Sequence, residues 1–201
     1  MKKFIFSLLL PIFLFSKEAL ITDGLLEVSI KKDGKVYTIK RDVEAIPKLY
    51  LNPLRGKIAP MIIDKEIETI AELEVIEYFK KSEKNESIIL VDARTEDWYE
   101  KIHIPSAINI PFTNFGNKEN AIETVTLEFD VEKKKDGSLD FSNAKTIIVY
   151  CNGAWCAQSE QLIKKAKFSL LKLGYPKNKI KYYRGGMQSW VSLGLSTESE
   201  E

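Results

Sequence analysis

A chain of 201 residues, 44% hydrophobic and 29% charged, has ordinary globular composition, with room for one sizeable core and a small appendage. Its 30 basic and 29 acidic residues leave a formal charge of +1, which excludes a nucleic-acid surface or a polybasic membrane patch as the theme of the molecule. The first element is the stretch MKKFIFSLLLPIFLFS. Lys2 and Lys3 precede an apolar run from Phe4 to Phe15 that is short for a membrane span, and the small residue Ser16 follows. Residues 1–16 read as a cleaved secretory signal, with an uncleaved anchor as the competing reading. No second long apolar run follows, so the expectation is a soluble periplasmic protein with no stable membrane span after signal cleavage.

Residues 17–66 form the appendage. Positions 25–41, LLEVSIKKDGKVYTIKR, alternate apolar and polar residues on both sides of Asp33-Gly34, which predicts a β-hairpin with a tight turn. Residues 42–66 carry Pro47, Pro53 and Pro60 without a sustained period, as in an extended connector.

The main domain is expected over 67–196, with a polar tail at 197–201. Thr69-Ile70-Ala71-Glu72 fits a capping box, and Leu73, Ile76 and Phe79 follow at helical spacing. Ile88-Ile89-Leu90-Val91, ending at Asp92, has the continuous apolar character of a strand buried on both faces of a parallel sheet. Thr146 to Tyr150 repeats that pattern and runs into Cys151, while Ile108 to Pro111 suits a short strand between them. Lys133 to Gly137 reads as a solvated turn. Leu162, Ile163, Ala166, Leu170 and Leu173 then predict one helix, stopped by Gly174 with Pro176 beyond. Ile180 to Tyr183 completes the strands, and Met187 to Leu193 forms a last helix entered through Gly185-Gly186. Strands alternating with helices predict an α/β fold, an open parallel sheet flanked by helices.

Both cysteines lie in one stretch, CNGAWC, at 151–156, and the single histidine, His103, lies far upstream. A disulfide here closes almost no chain and contributes little stability. Two loop cysteines and one distant histidine are too few obvious ligands for a metal site, and none is expected. A strand, a short loop and then a helix place Cys151 at the sheet edge where α/β proteins present their ligands. The N–H groups of Asn152, Gly153, Ala154, Trp155, Cys156 and Ala157 are candidates for an inward-facing cradle, with Trp155 as an apolar wall. Such a cradle and a helix end lower a thiol pKa, so Cys151 becomes a nucleophile without a base. The competing reading is a buried structural cysteine that packs as a small hydrophobe.

Val91-Asp92-Ala93-Arg94 with His103-Ile104-Pro105-Ser106-Ala107-Ile108-Asn109-Ile110-Pro111 resembles the first signature of the rhodanese family, and Tyr183-Arg184-Gly185-Gly186-Met187-Gln188-Ser189-Trp190 resembles its C-terminal signature. Cys151 falls where that family places its catalytic cysteine. The resemblance spans about residues 67–196 and implies a rhodanese-like fold and sulfurtransfer. In that chemistry the Cys151 thiolate takes sulfur from a sulfane donor such as thiosulfate, a polysulfide or a persulfide. It holds the sulfur as a covalent persulfide, with no other cofactor, and passes it to a thiol or to cyanide. A periplasmic thiol reductant or sulfur-carrier protein is a further expected partner, and nucleic acid is not.

Three positions depart from the family pattern. Its cysteine loop often ends in a cation, where this chain has Cys156, and Ile102 and Ser106 stand where glycines are usual. Arg184 is the candidate to lend the missing charge. Asp92, Arg94, His103, Gly185 and Gly186 are expected to support the site, and Trp98 and Trp190 to pack in the core. Cys156 either lines the pocket, pairs reversibly with Cys151, or relays its sulfur. The rival functions are a non-catalytic sulfur- or partner-binding module and a thiol redox protein using Cys151 and Cys156. A cysteine phosphatase lacks its loop arginine here.

Overall fold

The computed structural model describes residues 19–41, 50 and 56–200. The expected signal segment, Pro47 and Pro53 lie outside them. The hairpin forms as β1 (Glu27–Lys32) and β2 (Lys35–Lys40), paired antiparallel from Glu27 opposite Lys40 to Lys32 opposite Lys35. Asp33 and Gly34 both take positive φ, 50° and 78°, the backbone that a two-residue hairpin turn demands. Val28, Ile30 and Ile39 are its buried positions, so the hairpin rests on the main body by the inward half of its alternation.

The strand β3 (Glu68–Ile70) precedes α1 (Glu72–Ser82) and is an element the helical spacing did not reveal. The helix starts two residues later than the capping box at Thr69 predicts. Its first residue follows Ala71, whose N–H is bonded by the Glu74 carboxylate at 3.0 Å, while Thr69 spends its hydroxyl on the Met61 carbonyl. The buried face is accordingly Val75, Ile76 and Phe79, and Leu73 is exposed. Next come β4 (Ile88–Asp92), α2 (Glu96–Lys101) and β5 (Ile108–Asn109). A 3-10 turn (Phe112–Gly116) leads to α3 (Lys118–Glu128), N-capped by the Asn117 side chain. The lysine-rich turn joins β6 (Glu132–Lys133) to β7 (Leu139–Asp140) in a small ribbon.

After β8 (Thr146–Tyr150) and the cysteine loop, the expected long helix is broken. α4 (Gln158–Glu160) passes into a π-helical stretch (Gln161–Lys165), the chain turns extended at Ala166, and α5 (Leu170–Leu173) resumes. The break is held by tertiary bonds: Phe168 N–H donates to the Phe115 carbonyl, Ser169 Oγ to Lys164 O, and Lys172 Nζ to Ala166 O. Gly174 ends α5 in the left-handed conformation. β9 (Ile180–Tyr183) and α6 (Gly186–Ser192) finish the chain.

The main sheet has the order β3-β9-β8-β4-β5 with every pairing parallel. Ile147, Val149, Ile89, Val91 and Tyr182 face one core with Phe115, Val125 and Leu162. Ile148, Tyr150, Leu90 and Tyr183 face the other with Phe79, Trp190 and the hairpin's Ile30 and Ile39. A fully covered parallel sheet explains why β4 and β8 read as unbroken apolar runs. The polar tail pairs back: Glu198 exchanges backbone bonds with His103, and Glu200 N–H reaches Glu100 O. Among the described residues, no helix is long and apolar enough to cross a membrane.

Candidate active site

Cys151 stands at the carboxyl end of β8, the central strand, with β9 on one side and β4 on the other. Two loops hold the cysteine stretch from outside. The first turn of α6 donates Met187 N–H to the Cys151 carbonyl (3.0 Å) and Gln188 N–H to the Asn152 carbonyl (2.9 Å). Gly186 makes this approach possible, because a Cβ there lies 2.3 Å from the Cys151 oxygen, and its φ is +56°. From the other side, Ala59 N–H donates to the Ala154 carbonyl at 2.7 Å. Trp155 Nε1 is fixed by Gln188 Oε1 at 2.6 Å. Within the loop, the Cys156 N–H donates to the Gly153 carbonyl at 2.9 Å, so this predicted cradle donor is spent inside the loop itself.

The cradle serves two sulfurs rather than one. The Ser159 N–H and hydroxyl favour the ionised form of Cys151, whereas the N–H groups of Gln158 and Asn152, with the Asn152 amide, serve Cys156. The Cys151 thiol itself is 3.3 Å from the Cys156 carbonyl oxygen. Both side chains are buried, at 3% and 7% exposure. Burial pushes the Cys151 thiol well above its ordinary value, and the neighbouring Cys156 sulfur adds to the shift. The hydrogen bond from Cys151 pulls Cys156 down to about 6 against its own burial, and the three other donors reinforce it. The shift at Cys151 is opposite in direction to the acidic thiol that a cradle and a helix end predict. Burial and a neighbouring sulfur thus oppose ionisation of Cys151, while the Gln158 and Asn152 donors favour it at Cys156. Both cysteines are free thiols.

Arg184 does not face the sulfurs as a free cation: its Nε and Nη2 both bond the Ala59 carbonyl, at 3.1 and 3.0 Å. It clamps the segment that in turn holds Ala154. Arg94 and Asp92 form a fully buried ion pair, and Arg94 also bonds the Ile102 carbonyl and the Tyr50 hydroxyl. His103 is buried, stacked on Tyr99 at 3.9 Å, with Nδ1 2.9 Å from the Tyr99 carbonyl. Its Nε2 faces Glu198 and Glu200. Gly185 and Gly186 deliver α6 to the loop, and Ala157 opens α4. Trp190 is wholly buried, and Trp98 packs against the core and Tyr50.

Three contributors escape the sequence reading. Ser159, eight positions after Cys151, has a wholly buried Oγ with no regular hydrogen-bond partner, placed against the Cys151 thiol. Gln188 was legible only as part of the C-terminal signature. Tyr50 carries no local signal, since only folding brings the connector to Asn152.

The model of the rhodanese-like domain matches residues 75–193, more than half of the chain. The protein belongs to the rhodanese-like domain family. The thiosulfate:glutathione sulfurtransferase of Saccharomyces cerevisiae (strain ATCC 204508 / S288c) is 30% identical to this rhodanese-like protein over 108 residues, covering 54% of this chain and 68% of that one. The BH2092 protein of Bacillus halodurans, a crystal structure, is 29% identical over 66% of this chain and 77% of its own, with a TM-score of 0.45. The crystal structure of thiosulfate sulfurtransferase from Pseudomonas aeruginosa is 20% identical, with a TM-score of 0.46 over 68% of this chain and 21% of that longer one. The resemblance drawn from the three sequence signatures and the family match thus agree, and the family is one of sulfurtransferase type.

Proposed function

We propose that this rhodanese-like protein is an exported, periplasmic sulfurtransferase that moves sulfane sulfur through a Cys151 persulfide. The observation that carries the reading is the position of Cys151 at the central strand's carboxyl end, in one loop with a second sulfur, Cys156, whose ionised form the Asn152 and Gln158 donors favour. Cys151 Sγ attacks the outer sulfur of the donor as its proton passes to the Cys156 thiolate. With thiosulfate, the new S–S bond forms while the old one breaks, and sulfite leaves with the bonding electron pair. An acceptor thiolate or cyanide then takes the outer sulfur, the electron pair returns to Cys151, and Cys156 gives back the proton. Cys156 so serves as the proton acceptor and donor, and neither half-reaction consumes an oxidant or reductant.

Thiosulfate, inorganic polysulfide and an organic persulfide are offered in turn to the reduced protein, and intact mass followed by peptide mapping reads the product. One added sulfur on Cys151, removable by a thiol or cyanide, is expected with at least one donor. No adduct with any of the three overturns the proposal. It then favours the second reading, a non-catalytic sulfur- or partner-binding module, for which the 3% exposure of Cys151 speaks.

A further inference from the structure

Tyr50 lies outside the family match, in the N-terminal extension, yet its hydroxyl is buried between Arg94 and the cysteine loop. Arg94 Nη1 is 2.7 Å from that hydroxyl oxygen, the oxygen is 3.0 Å from Asn152 Oδ1, and Asn152 Nδ2 is 3.9 Å from Cys156 Sγ. A guanidinium only donates, so the direction of each bond follows from it. The Tyr50 oxygen accepts from Arg94, and its O–H has Asn152 Oδ1 as acceptor. With Oδ1 occupied, the other end of the amide, which can only donate, faces the sulfur.

We propose that Tyr50 is a positioning residue of the cysteine loop: it fixes the orientation of the Asn152 amide so that its N–H, and not its oxygen, faces the Cys156 sulfur. Without the tyrosine hydroxyl the amide is free to rotate by half a turn. Its oxygen then opposes a thiolate and favours a protonated Cys156. The Asp92–Arg94 pair anchors the far end, with Nη2 2.6 Å from Oδ2, so the chain starts from a rigid, fully buried point. The titratable groups that face Cys156 are Cys151, Tyr50 and Tyr182, and burial keeps both tyrosines neutral. Gln158 Oε1, 3.3 Å from the sulfur, takes the Cys156 proton when it is present.

This inference relies on the sulfurtransfer reading only for the use made of Cys156, and its test needs no sulfur donor. Each cysteine of the reduced wild type and of Tyr50→Phe is alkylated with iodoacetamide across a pH series and quantified by peptide mass spectrometry. In the wild type, Cys156 is expected to react with a midpoint of about 6. Tyr50→Phe keeps the ring against Trp98 and is expected to raise that midpoint by about one pH unit, a tenfold loss of thiolate at low pH, without raising the midpoint of Cys151. An unmoved Cys156 midpoint in the folded variant overturns the proposal, as does an equal upward shift of both thiols. Should Tyr50→Phe fail to fold, Asn152→Leu removes the donor directly. The same upward shift at Cys156 is expected from it, and its absence there is equally fatal. A missing persulfide in the donor experiment leaves these outcomes untouched.

Discussion

Arg94 and Asp92, two positions apart at the carboxyl end of β4, meet with Nη2 2.6 Å from Oδ2, and neither side chain has any solvent exposure. The same guanidinium reaches the Ile102 carbonyl, so one residue joins the strand end to the turn that carries His103. Arg94→Ala strands a buried carboxylate and is expected to lower unfolding free energy by about 3–5 kcal/mol. Urea denaturation measures it, and a loss below about 1 kcal/mol contradicts a structural role of this size. Arg94→Lys is not expected to rescue, because an ammonium lacks the planar fork that serves Asp92, Ile102 and Tyr50 together.

Gly186 determines how closely α6 approaches the cysteine loop. Gly186→Ala places a methyl 2.3 Å from the Cys151 oxygen at a φ of +56°, so both the clash and the backbone oppose it. A stability loss above about 1 kcal/mol is expected. Sulfur loading of Cys151 is expected to fall by about 100-fold, since a displacement near 1 Å in a reacting group has that effect. Thermal melting and stopped mass spectrometry read the two losses separately. Wild-type loading in this variant removes the α6 contact from the account of the site.

Ser106 occupies left-handed backbone, φ 65°, with a buried hydroxyl that has no hydrogen-bond partner. Ser106→Gly relieves both. The strain removed is roughly 1 kcal/mol, which corresponds to about 2–4 °C in Tm for a chain of this size. A lower Tm by differential scanning fluorimetry contradicts this.

If Cys156 accepts the Cys151 proton as proposed, its acidity sets an acid limit on sulfur loading. Its folded value, about 6, lies below the ordinary 9.0, so the proton acceptor is ready at neutral pH and is lost as pH falls through 6. The loading rate of Cys151 is therefore expected to be level from about pH 8 to 7 and to drop tenfold per unit below about pH 6. Cys156→Ser, whose hydroxyl does not ionise in this range, is expected to slow loading at pH 7 by about 100-fold. Stopped-flow loading across pH tests both. Undiminished loading in Cys156→Ser reduces Cys156 to pocket lining.

The hairpin, β4, β8 and β9 were legible because each states its burial pattern locally: alternation around Asp33-Gly34, unbroken apolar runs in the covered sheet. The start of α1 was misread because two residues three positions apart, Thr69 and Glu72, satisfied the capping pattern, while the sheet claimed Glu68–Ile70 as a strand. The break at Ala166 was hidden for a similar reason. Its carbonyls and N–H groups find partners in Lys172 and Phe115, the latter over 50 residues away, and periodicity does not register such bonds. Cys151 as the first residue after a core strand was readable; the donors that each thiol meets were not.

Residue order alone determined the alternating α/β plan, the three signatures of the family and the placing of both thiols on one loop at a strand end. These follow from patterns of burial and turn chemistry that a short stretch carries within itself. Folding alone decided which donors each sulfur receives, that Arg184 is spent on Ala59, and that Tyr50 enters the site from the N-terminal extension. Those outcomes depend on the direction and length of hydrogen bonds between segments as far apart as residues 50 and 152, and such distances exist only once the sheet has brought them together.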